Sequence, residues 1–390
     1  MASPQPPALD PTTTRPRFRP EVFGRILLVV LLLAGFLVAI KCMGGAFKLM
    51  GQETSGALFE GVANPFTALA VGILATVLVQ SSSTTTATIV ALVGSGELSV
   101  EHAVPMIMGA NIGTTITNTL VSVGHVRQSA SFRRAFAAAT VHDFFNLMCV
   151  AVLLPLELAT GFLSKTALFL TDHLAGGPGA KFDSPVNSGV KVAYKGVLGA
   201  FESLGLAGTP LAIAVLVFGL AMTFVCLIYI TKNMRALIAG RLEQALNRSL
   251  GRSGLLGILV GIVVTFSVQS SSITTSLLVP LCAAGILSLE NAFPIMLGAN
   301  IGTTITALLA SSATDSSAGL TIALVHAFFN LLGTALVYPF ARIRAIPIAL
   351  AEKLAEAASK NPLYVVGYVV GVFVLLPLAG MWLFNRLGGV

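Results

Sequence analysis

VQSSSTTTATIV, Val79 to Val90, places a glutamine and six consecutive hydroxyl side chains inside an aliphatic region, and VQSSSITTSLLV repeats the arrangement at Val268 to Val279. The setting makes this polarity costly. The 390-residue chain is 55% hydrophobic and 10% charged, with a mean hydropathy of +0.89, whereas ordinary soluble domains carry about 25% charged residues. Several apolar blocks reach the roughly 20 helical residues that cross a hydrocarbon layer of about 30 Å. They are continuous runs without period-two alternation, so helices, not a closed barrel, satisfy the backbone in lipid. The expected fold class is an all-α polytopic membrane protein.

The segments ahead of the two motifs give them meaning. Phe66–Val79 and Leu255–Val268 have fourteen residues each, about 21 Å of helix and too short to cross. Each runs into QSSS, where serines compete for backbone hydrogen bonds and weaken helix. Half-helices that turn back in mid-membrane are re-entrant hairpins, tolerated only when buried in protein or lining a watery cavity. A helix beginning at each turn would aim free N–H groups and its positive dipole end at one place. Hydroxyls and amides can donate to anion oxygens or hold a cation by their lone pairs. Gln80, Ser81, Ser82, Ser83, Gln269, Ser270, Ser271 and Ser272 are therefore the candidate anion-binding residues.

The duplication extends further. GANIGTTIT stands at Gly109–Thr117 and Gly298–Thr306, and the two QSSS motifs share the same offset of 189 residues. VHDFFN at Val141–Asn146 matches VHAFFN at Val325–Asn330. The chain thus divides into a proline- and threonine-rich N-terminal stretch, 1–21, expected to be disordered, and two homologous repeats, 22–205 and 206–390. Each repeat is expected to hold a hairpin and a broken transmembrane helix.

Charge orients them. The stretch His125–Arg134 carries Arg127, Arg133 and Arg134, while its counterpart, Ser311–Gly319, has only Asp315. The N-terminal flank (Arg15, Arg17, Arg19, Arg25) and the linker Thr231–Arg252 are also basic. By the positive-inside rule the N-terminus and the linker are cytoplasmic, and matching segments fall on opposite faces, an inverted-topology repeat. Basic residues in Ala341–Asn361 leave the side of the C-terminus open. The net charge of +7 belongs to these loops, so no nucleic-acid partner is expected.

GANIGTT follows Pro105 or Pro294, and its glycines are poor helix interior. Local unwinding is expected at Gly109–Gly113 and Gly298–Gly302, exposing carbonyls to a hard cation such as sodium. Asn111, Thr114, Thr117 and Asn300 are candidate ligands there; close packing through small residues is the competing reading. His142/His326 and Asn146/Asn330 share a helix face, where interhelical hydrogen bonding is favoured. Asp143 differs: its repeat partner is Ala327, and a carboxylate within a span is costly and usually functional, so it is a candidate for an extra cation site. Cys42, Cys149, Cys226 and Cys282 lack metal-site spacing and read as small hydrophobes. Glu97, Glu101 and Glu290 read as interfacial charges. Glu157 and Lys165 after Pro155, and Arg342–Lys360 after Pro339, read as surface helices.

The doubled QSSS and GANIGTT motifs and FRRAFAAATVHDFFN at Phe132–Asn146 resemble the type II sodium–phosphate cotransporter family over about Phe59–Phe384. The resemblance implies sodium-driven uptake of inorganic phosphate at the paired QSSS segments, with no cofactor beyond sodium as coupling ion. It implies a sodium site at Gln269, Ser270, Thr303 and Thr306. It also implies an electrogenic cycle, because Asp143 preceded by Ala137 and Ala139 matches the electrogenic members. The inter-repeat stretch, about Asp172–Lys195, is short and free of cysteine, and little chain follows the last span, as expected of a bacterial member in the plasma or inner membrane. An intramembrane serine protease would need an activated nucleophile, for which no context exists. An anion channel and a carrier of another oxyanion or a carboxylate stay as rivals, and the oligomeric state is open.

Overall fold

The computed structural model describes residues 20–50, 64–175, 185–249 and 254–386. Most of the expected disordered N-terminus, the middle of the inter-repeat stretch and the end of the basic linker lie outside them. In chain order the helices are α1 (Pro20–Met50), α2 (Pro65–Val79), α3 (Ser82–Ser95), α4 (Val100–Gly113), α5 (Ile116–Val123), α6 (Ser129–Thr160) and α7 (Phe162–Ala175). They continue as α8 (Pro185–Ser203), α9 (Gly208–Ser249), α10 (Gly254–Val268), α11 (Ser271–Ala283), α12 (Leu289–Ser311), α13 (Ser317–Val337) and α14 (Ala341–Lys360). The last are α15 (Leu363–Val370), a π turn at Gly371–Leu375, and α16 (Leu376–Arg386). No strand occurs among the described residues. Six stretches are long and apolar enough to cross a membrane: Pro20–Met50, Ser129–Thr160, Gly208–Leu237, Leu289–Ser311, Ser317–Val337 and Leu363–Leu383. The chain is an all-α polytopic membrane protein.

α2 and α10, 15 residues each, are the expected half-helices, about 22 Å long. α2 is started by Asn64, whose Oδ1 accepts from the Phe66 and Thr67 amides at 2.8 and 3.2 Å. Both are stopped by a glutamine in the left-handed region, Gln80 at φ 56° and Gln269 at φ 55°; no other non-glycine described residue has positive φ. An extended serine follows, and the chain re-enters helix as α3 or α11. The α2–α3 and α10–α11 pairs are the hairpins.

The glycines of GANIGTT do not unwind their helices. α4 runs through Gly113 and yields only at Thr114–Thr115, before α5; α12 is continuous from Leu289 to Ser311. The unwinding expected at Gly109–Gly113 and Gly298–Gly302 is therefore corrected, and the second repeat's helix is unbroken. The physical reason is helix crossing. A methyl group on Gly109 would overlap the Leu69 carbonyl oxygen, and one on Gly72 the Met106 carbonyl. In the second repeat, Gly298 meets the Ile258 carbonyl and Gly261 the Ile295 carbonyl in the same way. Small residues let each half-helix lie backbone against backbone on its long neighbour. The threonine hydroxyls bond within the helix, Thr114 to the Ala110 carbonyl at 2.9 Å and Thr303 to that of Ala299 at 3.0 Å.

α6 also departs from expectation. It continues through Pro155 to Thr160, and Gly161 at φ 64° turns the chain into α7. Glu157 is buried, not interfacial: its carboxylate accepts from the Leu163 and Ser164 amides at 2.6 and 3.2 Å, closing the start of α7. The basic linker is largely helix, the extension of α9. The four cysteines are buried and free.

α1 and α9 pack along each other, Gly219 against the Ala39 carbonyl and Met43, and Arg25 donates to Asn233 Oδ1 at 3.3 Å near their other ends. One cation lies deep in this pair. Lys41, with its side chain 9% exposed, forms an ion pair with Asp315 in the α12–α13 turn, and Lys48 and Lys191 approach the same carboxylate at 3.7 and 3.5 Å. Burial alone would raise the Asp315 carboxyl, but the Lys41 hydrogen bond and the three ammonium charges outweigh it and hold the group below its ordinary value. A depressed acid stabilises the fold above its unfolded pKa, and that stability is lost as pH falls through the folded value.

Two outcomes follow for stability. Gly109→Ala and Gly298→Ala each force a carbon into a backbone oxygen that cannot rotate away, and should cost about 3 kcal/mol or more, read as loss of a cooperative melting transition in detergent. Asp315→Asn strands Lys41, and because Asp315 is itself partly exposed the loss should be about 1–3 kcal/mol. Its melting temperature should lie below the parent's at neutral pH, and the gap should begin to close below about pH 4 and vanish only once the pH is below the depressed folded value.

Candidate anion-binding site

The two hairpin tips share one cavity. It has a volume of about 380 Å³ and is lined by Val79 to Thr84 of the first hairpin, Gln269 to Ile273 of the second, and Phe224, Leu227, Ile228 and Thr231 of α9. All eight QSSS residues are in this lining. Among the described residues the lining holds amides, hydroxyls and hydrocarbon, and no charged side chain.

Each tip is built alike from the glutamine outward. A left-handed non-glycine residue costs on the order of 1–3 kcal/mol. Gln80 offsets this by donating from Nε2 to the Val77 carbonyl at 2.6 Å, and Gln269 by donating to Phe266 at 2.7 Å, so each side chain closes its own half-helix. The amide oxygens look the other way: Thr117 donates to Gln80 Oε1 at 3.1 Å, and Thr306 to Gln269 Oε1 at 2.8 Å. Each turn is thereby fastened to its own repeat just after the GANIGTT motif, the first to α5 and the second to α12.

The next residue starts the returning helix. Ser81 Oγ accepts from the Thr84 amide at 3.2 Å, and Ser270 Oγ from the Ile273 amide at 3.4 Å. The following amides, on Thr85 and Thr274, bond to the Ser81 and Ser270 carbonyls. What a helix start leaves over are the amides of Ser82 and Ser83, and of Ser271 and Ser272. These residues line the cavity, so the positive ends of two helix dipoles, each worth about half a charge, meet around it. The arrangement can take an anion by donation alone.

The candidate cation ligands are divided by the structure. Gln269 and Thr306 are joined directly; Ser270 lines the cavity; Thr303 is buried on α12, and Thr114 is buried at the C-terminal end of α4. Asn111 and Asn300 lie in a buried network between the repeats instead of in the cavity lining. Asn300 donates to Asn146 Oδ1 at 2.9 Å and meets His142 Nε2 at 2.5 Å. Asn330 donates to Asn111 Oδ1 at 3.2 Å, and Asn146 to the Asn111 carbonyl at 2.8 Å. The interhelical reading of the VHDFFN and VHAFFN motifs is thus the observed one for His142, Asn146 and Asn330. Asp143 is fully enclosed on α6, away from the cavity lining, and accepts from the Tyr368 hydroxyl at 2.5 Å. No grouping of histidine, cysteine and acidic residues suited to a transition metal occurs among the described residues.

Sequence reasoning missed three participants. Asn118 of α5 donates to Thr275 Oγ1 at 2.7 Å and accepts from Ser276 at 2.9 Å, tying the first repeat to the second hairpin. Its repeat counterpart is Ala307, so asymmetry between the halves was the available signal. Lys41 was visible as a lone charge in an apolar span. Phe224–Thr231 carried no signal at all, since an apolar helix face can line a cavity or pack against lipid equally well.

A helical membrane protein with two inward-pointing half-helices and an uncharged, donor-lined cavity between their tips is the class defined by these features. A model of the Na+/Pi-cotransporter family matches residues 36–164 and 222–345, and the chain belongs to that family. It is 35% identical to the rat sodium-dependent phosphate transport protein 2A, over 91% of this chain and 67% of the relative. It is 33% identical to the human sodium-dependent phosphate transport protein 2B, over 91% of this chain and 64% of that relative. The chain therefore spans about two thirds of the length of these relatives. No solved structure matches it.

The tip geometry separates the two glutamines experimentally. Gln269 is buried and Gln80 exposed, so stranding the strained turn by Gln269→Ala should cost about 2–3 kcal/mol, against about 1 kcal/mol for Gln80→Ala. Melting of the two purified variants checks the order.

Proposed function

We propose that the chain is a secondary active transporter coupling sodium entry to uptake of inorganic phosphate, HPO4 2−, across the plasma or inner membrane, with its N-terminus in the cytoplasm. The observation that carries this reading is the cavity at the paired tips, which offers hydroxyls, amides and two helix starts but no fixed cation. A divalent anion placed there without compensation would cost far too much, so the neutralising charge has to arrive with it. Two sodium ions balance HPO4 2−, and a third at Asp143 carries net charge inward. Gln269, Ser270, Thr303 and Thr306 take one sodium, and the repeat-related Gln80, Thr114 and Thr117 surround the corresponding position. The relatives, which are sodium-dependent phosphate transport proteins, support the same pairing of ion and substrate.

The hairpins move against the α1–α9 pair in an alternating-access cycle. In the present conformation the cavity wall on α9 ends at Thr231, beside the basic Lys232 and Arg235, while the Lys41–Asp315 ion pair joins α1 to the α12–α13 turn near the opposite end. No enzymatic step is needed.

Radiolabelled phosphate uptake into proteoliposomes tests the proposal. Uptake should require an inward sodium gradient, saturate, and resist competition by sulfate; passive currents indifferent to sodium would indicate a channel instead. Ser82→Ala and Ser271→Ala should each lower apparent phosphate affinity about tenfold, the loss of one hydrogen bond to a charged group. Asp143→Gly should remove the voltage dependence, and unaltered charge movement per phosphate would contradict its role.

A further inference from the structure

Asp143 has two oxygens with different surroundings. Oδ2 accepts from Tyr368, 225 residues away in α15, while Oδ1 is equally enclosed and has no donor among the described residues. A hydroxyl satisfies geometry but brings no charge, and a carboxyl group in a dry interior either keeps a proton or takes a cation as its charge partner. From this, and resting on the sodium-coupled reading above, we infer that Tyr368 is a positioning residue for the coupling cation: it holds one oxygen of Asp143 so that the other faces the ion.

The surroundings of Tyr368 fit such a task. Its ring is buried and pinned by Phe136 edge-on at 6.2 Å, Phe144 tilted at 6.1 Å and Phe373 edge-on at 6.1 Å. Phe136 and Phe144 flank Asp143 on α6, and Phe373 belongs to the π turn that follows Tyr368. That turn, Gly371–Leu375, is closed by the Leu376 amide on the Gly371 carbonyl. A single π turn is a rare irregularity found most often at functional sites; here it brings the fully buried Phe373 against Tyr368. The phenol therefore has a fixed ring and a fixed hydroxyl direction. The repeat offers no second copy of the arrangement, because the counterpart of Asp143 is Ala327. Tyr368 thus serves the cation specific to the first repeat and stands apart from the phosphate cavity, whose lining does not include it.

The test is sodium activation of phosphate uptake by the full chain in proteoliposomes, with sodium replaced stepwise by choline. Tyr368→Phe keeps the ring and removes the hydroxyl. It should raise the sodium concentration for half-maximal uptake by about threefold or more, the effect of losing one hydrogen bond, while half-saturation by phosphate at high sodium shifts far less. In an Asp143→Gly background the same change should add no further shift. Wild-type sodium activation in Tyr368→Phe, or an equal shift in both backgrounds, would overturn the inference. If Tyr368→Phe alone is recovered unfolded, recovery of the folded Asp143→Gly/Tyr368→Phe double variant supports the coupling and its failure contradicts it. Phosphate uptake by the parent chain that ignores sodium would instead count against the function proposed above.

Discussion

The left-handed turn at Gln80 and Gln269 is the constraint on which the site depends. It ends a half-helix of 15 residues, leaves its closing carbonyl to the glutamine amide, and lets the next serine start a new helix whose first residues line the cavity. Glycine would reach the same backbone angle more easily. It could neither close the preceding helix nor receive Thr117 or Thr306, so strain is accepted in exchange for two side-chain bonds at each tip.

The rest of the structure holds two such turns face to face. Glycine crossings press α2 on α4 and α10 on α12, which fixes the depth at which each half-helix stops. The Asn111, Asn146, Asn300, Asn330 and His142 network then joins the repeats across the centre. Its members are four side-chain amides and one imidazole, groups that can donate and accept, so the two halves are joined at a buried interface without net charge. Within the shared core the halves depart from symmetry at Asp143 opposite Ala327, at Asn118 opposite Ala307, and at Thr114–Thr115, where the helix yields in only one half. Duplication supplies the shared cavity, and the asymmetric residues are where the halves differ chemically.

Much of this was legible in the sequence because it depends on short-range facts. Fourteen apolar residues cannot span a bilayer, and QSSS cannot continue a helix without cost, so the hairpins and the eight cavity residues could be read from spacing alone. What failed was the reading of GANIGTT as unwound. Glycine is equally a helix breaker and a helix-crossing residue, and only the partner's backbone, close against Gly109 and Gly298, decides between them. Glu157 misled for a similar reason, since a carboxylate that closes the start of the next helix looks like a surface charge until the turn at Gly161 is seen. Tyr368 was invisible because nothing local to it signals a partner 225 residues earlier.

On the function proposed above, the cavity between the tips holds a divalent oxyanion only when cations enter with it. Calorimetric titration of phosphate into the purified protein, in sodium chloride and in choline chloride of equal ionic strength, tests it without requiring turnover. The account predicts saturable heat in sodium and none in choline. Equal binding in both salts would contradict it, because a fixed positive group would then have to be supplying the charge.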